Sequence, residues 1–220
     1  MKYLTREMSV NAIRRMKTFH DDIVGLYNEY DMDLLDNLGR RNIVMSQTQE
    51  KFFSDELTKK YEGVSNDGKT GQPDIIVGEL NKELECKLTS RHKSGSINFQ
   101  TDHSTLSQKG ALDYLYVIAD NKFKKFGVLH FIGLTVDDFR PVANGSRGKV
   151  SMYKHVGMKK CNVLVGDVSS VNEENLEKLF HRLKNERMSL TSKKREKTIA
   201  SIQYWQTTPT KYRFGLEEII

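Results

Sequence analysis

Cysteine is almost missing from this chain: Cys86 and Cys161 are the only two among 220 residues. Cys86 projects to the core face of an alternating strand and Cys161 opens the apolar run Val163–Val165, so both are expected as small buried hydrophobes rather than a disulfide or a zinc site. Proline is nearly as scarce, at three, so no proline-rich linker divides the chain. No apolar run approaches membrane-spanning length. The opening MKYLTREMSV has no signal-peptide core. A cytoplasmic, reducing setting with no membrane partner is expected. There is no internal repeat or low-complexity tract. Carboxylates are missing locally: none lies between Phe139 and Gly166, and only Glu196 lies between Arg187 and Leu216.

Against these absences stands a globular composition, 37% hydrophobic and 29% charged, with a net charge of +6. The length is ample for a core, and the charge favours a polyanionic partner. We expect one domain over residues 1–220. A helical region covers 1–45, a catalytic core 46–135, and recognition and dimerisation elements 136–220. Helical spacing predicts helices over 5–29, capped by Thr5, and over 32–38, ended by Gly39. A third helix is predicted from a capping box at Ser46–Gln49 to about Tyr61. A weaker helix is expected over 101–113, then buried strands at Tyr114–Ala119 and Phe126–Leu134. Their short polar link permits antiparallel pairing. An amphipathic helix follows over Asn172–Met188, with Leu176, Leu179, Phe180 and Leu183 as its stripe.

The chemistry concentrates in GQPDIIVGELNKELECKLTSR, residues 71–91. Pro73-Asp74 opens the apolar run Ile75–Val77, residues 78–81 make a turn, and Lys82–Leu88 alternates. Strand side chains alternate faces, so Glu85 and Lys87 share one face while Leu84, Cys86 and Leu88 take the core face. Asp74 and Glu85 can then converge on one hard divalent cation. A lysine beside them would stabilise phosphate charge, and metal-bound water is a nucleophile at neutral pH. The loop Gly63–Thr70 matches G-x-x-x-x-G-K-[ST], but it follows a helix and leads to a strand. A phosphate-binding loop needs the reverse order, so no nucleotide cofactor is expected.

Pro73-Asp74 with Glu85-Cys86-Lys87, over residues 46–119, resembles the PD-(D/E)xK nucleases, which include many type II restriction endonucleases. The resemblance implies an α/β fold with a mixed central β-sheet flanked by helices, restriction-endonuclease-like. It implies Asp74 and Glu85 on Mg²⁺ (with Mn²⁺ able to substitute), Lys87 by the scissile phosphate, and a glutamate on the preceding helix. Glu50 is the best match for that glutamate and Glu56 the weaker one. The expected reaction is site-specific cleavage of double-stranded DNA by a homodimer, leaving 5′-phosphate and 3′-hydroxyl ends. The alternatives are a structure-directed repair or recombination nuclease and a non-catalytic DNA-binding protein.

Basic residues outside the hairpin are the expected DNA contacts: Arg91 and Lys93; Arg140, Arg147, Lys149, Lys154 and Lys160; and Lys193, Lys194 and Arg195. Arg40-Arg41 is a further phosphate candidate, and Asp137-Asp138 a reserve metal pair. His92 fits a polar surface and His130 a core position.

Overall fold

A computed structural model describes residues 2–67, 72–91, 95–143, 148–186 and 190–220. Two long helices open the chain. Helix α1 (Arg6–Glu29) is capped by Thr5, whose side chain accepts from the Met8 amide. It buries Met8, Ala12, Ile13, Met16 and His20 at helical spacing. Helix α2 (Leu38–Thr58) replaces the two predicted helices of this region. Asn37 supplies the cap, its side chain accepting from the Arg40 amide at 3.1 Å. Gly39 therefore lies inside the first turn, where it costs about 1 kcal/mol against alanine and does not stop the helix. Ser46 is not a cap either: mid-helix, its hydroxyl donates back to the Ile43 carbonyl at 2.8 Å.

The strands follow as β1 (Val64–Ser65), β2 (Ile75–Val77), β3 (Lys82–Ser90) and β4 (Gln100–Asp102). After α3 (His103–Lys109) come β5 (Leu112–Ala119) and β6 (Lys125–Leu134), then β7 (Lys149–Ser151), α4 (Lys154–Gly157) and β8 (Cys161–Val165). The chain continues through β9 (Asp167–Ser170), α5 (Val171–Asn185), α6 (Ser192–Thr207), β10 (Tyr212–Gly215) and β11 (Glu217–Glu218). The predicted helix over 101–113 is only α3. Gly110, at φ +75°, ends it. A left-handed φ is open to glycine at little cost, so the residue that weakened the helix pattern is its stop signal.

The central sheet has seven strands in the order β1-β2-β3-β5-β6-β11, with β8 also on β6. Only β3 and β5 run parallel; the other pairs are antiparallel. The fold is thus α/β, a mixed sheet flanked by helices, as expected. Every residue of β5 is buried, as a strand covered on both faces requires. Leu84, Cys86, Leu115 and Val117 meet Met45, Phe53 and Leu57 of α2 in one core. On the opposite face, Phe99 packs against Tyr116 and Phe131 with ring centroids 4.9 and 5.5 Å apart. Cys86 is buried, Cys161 half-buried, and both are free. His130 is fully buried in the sheet, as expected.

The chain divides into two units, Met1–Asp167 with Phe214–Ile220, and Val168–Arg213. The second holds α5 and α6. Ser170 caps α5, and the buried Asn172 donates to the Trp205 and Thr208 carbonyls while accepting from the Lys211 amide. Among the described residues of this unit only Asn172, Thr198 and Ile202 are buried. No helix among the described residues is long and apolar enough to cross a membrane.

Candidate active site

The hairpin residues meet at a fork. Strand β2 pairs with β3 over Lys82–Leu84 alone, while β3 continues along β5 to Ser90. Asp74 stands where β2 leaves. Its Oδ2 accepts from the Cys86 amide at 2.7 Å, occupying an N–H that a longer β2 would have paired. Two residues apart on one face, Lys87 donates through Nζ to Glu85 Oε1 at 2.6 Å. The Glu85 side chain is 14% exposed and that of Lys87 28%, so both reach solvent from a largely covered position.

Helix α2 brings the fourth residue. Gln49 is fully buried and donates to the Leu115 carbonyl at 2.9 Å, pinning α2 to β5. The next residue, half-buried Glu50, is thereby placed within electrostatic range of the fork. Burial, then Asp74 and Glu85, push its carboxyl up to about 7, with Lys87 opposing. Burial and Glu85 likewise raise Asp74, against the Cys86 amide and Lys87. Burial alone would lower the Lys87 ammonium, yet Glu85 and then Asp74 and Asp102 carry it above its ordinary value. Three carboxyls are thus electrostatically coupled to one lysine, and a fourth, Asp102, acts on that lysine. Such crowding of like charge out of bulk water marks a place where more positive charge would be stabilised.

This crowding has a measurable consequence. Glu50 binds a proton more tightly folded than unfolded, so its contribution to stability is present below the ordinary glutamate value, 4.5. It is lost as pH rises through about 7. Asp74 acts in the same direction. Stability without divalent metal is therefore expected to fall across that window, and Glu50→Gln to flatten the fall. Urea midpoints at about pH 5 and about pH 8 check this; identical slopes in both proteins would mean Glu50 is not coupled to the site.

Among the described residues no three or more His, Cys, Asp or Glu side chains are grouped so as to hold a metal ion. The Asp74 and Glu85 oxygens are turned instead to the Cys86 amide and the Lys87 ammonium. Two carboxylates are nonetheless a donor set that suits Mg²⁺, which keeps several waters and takes phosphate oxygens as further ligands. The residues present therefore fit a hard cation held by Asp74 and Glu85, with Glu50 electrostatically coupled to both.

Other expectations fare differently. Arg41 is not free for phosphate: it is fully buried and donates to the Asp120 and Asn121 carbonyls and to Ser90 Oγ. Asp138 of the reserve metal pair is buried, accepts from the Thr135 amide and is bound by Lys160 at 2.6 Å. That carboxylate caps a turn, and Lys160 is drawn into neutralising it. Glu56 is buried against Asn11 and Lys59, apart from the fork cluster. Arg91 donates to the Phe214 carbonyl. Arg140 is exposed and leans over the Tyr153 ring, Lys149 is exposed on β7, and Lys154 is half-buried. Lys193, Lys194 and Arg195 are exposed in the first turn of α6. Lys93, Arg147, His92 and the Gly68–Thr70 part of the phosphate-loop pattern lie outside the described residues.

Sequence reading missed Asp102. Its only signal is that it is the first carboxylate after Glu85, and β4 brings it back towards Lys87. No protein-family model matches the chain, and no curated protein matches it.

Proposed function

We propose that this protein is a Mg²⁺-dependent endonuclease of restriction-endonuclease-like fold. It acts in the cytoplasm on double-stranded DNA in the manner of a type II restriction enzyme. One observation carries the reading: Asp74, Glu85 and Lys87 gather at the point where β2 leaves β3, with Glu50 coupled to them from α2. That arrangement suits hydrolysis of a phosphodiester. Asp74 and Glu85 would hold the cation, which when bound would supply an activated water and offset charge on the phosphorus centre. Lys87 is already a donor, bonded to Glu85. Its part is to hold positive charge against a non-bridging phosphate oxygen, not to take a proton. Glu50 adds a carboxyl on the α2 side and fixes how much negative charge the site holds. The exposed Arg140 and Lys149 supply charge for the flanking phosphates.

Incubating the purified protein with phage DNA and Mg²⁺ tests the reading. Discrete fragments with 5′-phosphate ends are expected. A smear would favour a structure-directed or nonspecific nuclease. Intact DNA with every divalent metal, despite binding, would leave a non-catalytic DNA-binding protein. Cleavage of both strands at a symmetric site calls for two such sites, and hence for two chains per duplex.

A further inference from the structure

The helical unit Val168–Arg213 is short of core. With only Asn172, Thr198 and Ile202 buried among its described residues, it leaves Phe180, Ile199 and Tyr204 exposed at 41–54%. So few buried residues supply little core stability of their own. Of the exposed side chains, Phe180 lies in a groove along one face of α5, lined by Glu173, Leu176, Glu177, Phe180, His181 and Lys184. This face continues the amphipathic stripe legible in the sequence.

We infer that this face of α5 is a two-fold seam on which a second copy of the chain docks, antiparallel to the first. The helix has Glu173 and Glu174 in its first turn and Arg182 and Lys184 in its last. Place a two-fold axis between Lys178 and Leu179. Glu173 then faces Lys184 of the second copy, Leu176 faces His181, and Glu177 faces Phe180. Each of the six lining residues meets another of the six, so the groove is its own complement, as an isologous contact demands. Phe180 packs beside Leu176 at the centre, and the opposite charges close both ends. Parallel docking would set Glu173 on Glu173 and Lys184 on Lys184, and like charges at those positions repel. An unrelated apolar helix would cover the stripe but would leave the charged ends unmatched.

The inference names the surface for the dimer proposed above, and it stands or falls without DNA or metal. Sedimentation equilibrium of the full chain alone is the test. The wild type is expected at the mass of two chains. Glu173→Lys and Lys184→Glu should each shift to one chain, because both ends of the seam then carry like charges. An equimolar mixture of these two variants should return to two chains as a heterodimer with both end pairs restored. Phe180→Glu should be a single chain alone and in any mixture. Circular dichroism checks that helix content is kept. The inference is overturned if the wild type stays a single chain through the high micromolar range, if either charge variant stays dimeric, or if the mixture fails to re-pair. A single-chain wild type that still cuts DNA would sink the seam and leave the nuclease. A re-pairing mixture that cuts nothing would do the opposite.

Discussion

Replacing Glu85 by alanine, or Asp74 by asparagine, is expected to lower cleavage in Mg²⁺ on the order of 10³-fold or more, while DNA binding persists. Each change removes one of two anionic ligands from the proposed cation. Groups that stabilise transition-state charge in a dehydrated site are the costliest to lose. Asparagine rather than alanine is the informative change at Asp74. Alanine would also strand the Cys86 amide that the carboxylate now accepts from, at a cost of about 1–3 kcal/mol. Asparagine keeps an acceptor oxygen and removes only the charge. A second readout separates ligand loss from misfolding. Mn²⁺ titration followed by electron paramagnetic resonance should give weaker binding in both variants, with circular dichroism unchanged. Cleavage at the wild-type rate by either variant would remove that residue from the metal site.

Arg41→Ala is expected to have the largest effect on stability, about 3–5 kcal/mol, because it strands buried acceptors and opens a cavity. Arg41 Nη1 donates to the Asp120 and Asn121 carbonyls at 3.0 and 2.9 Å, and Nη2 donates to Ser90 Oγ at 2.8 Å. Its guanidinium lies over the Phe123 ring, 5.0 Å from the centroid. Burial lowers its pKa to about 10, with Asp120 opposing, so it remains a cation at neutral pH. One side chain thus ties α2, the end of β3 and the β5–β6 turn together. Arg41→Lys should recover only part of the loss, since a single ammonium cannot reproduce the planar fork. Urea unfolding measures both variants. A normal midpoint with weakened DNA affinity would instead return Arg41 to the role of a phosphate contact.

Arg41 also marks what the sequence did not disclose. Two adjacent arginines after a glycine read as a basic helix end, because, apart from the neighbouring Asn42 side chain, the groups that claim Arg41 lie 49 to 80 positions away. Burial of a charge is set by such distant acceptors, which no local window contains. The start of α2 was hidden for a nearer reason. Gly39 and Asn37 give opposite signals two residues apart, and the side-chain cap wins over a glycine tolerated in the first turn. The fork cluster, by contrast, was legible. Strand alternation alone puts Glu85 and Lys87 on one face and sends Leu84 and Cys86 to the core, and the structure keeps that division. The placement of Glu50 follows from a helix that packs on the hairpin, although Gln49, which pins it, reads in the sequence as the glutamine of a capping box begun by Ser46. Asp102 escaped because β4 is three residues long and its approach to Lys87 depends on how the chain returns across the sheet.

The Asp74–Cys86 bond has a consequence for how the two strands stay aligned. Shifting β2 by one residue against β3 would move the carboxylate off the Cys86 amide and turn every β2 side chain to the other face. The tight turn over Gly78–Asn81 sets the register of this three-residue ladder, and Asp74 adds a second point that holds it. The same atom group that would bind the cation thus proofreads the alignment that creates its site. Partial denaturation that loosens this ladder should extinguish activity before the sheet itself melts.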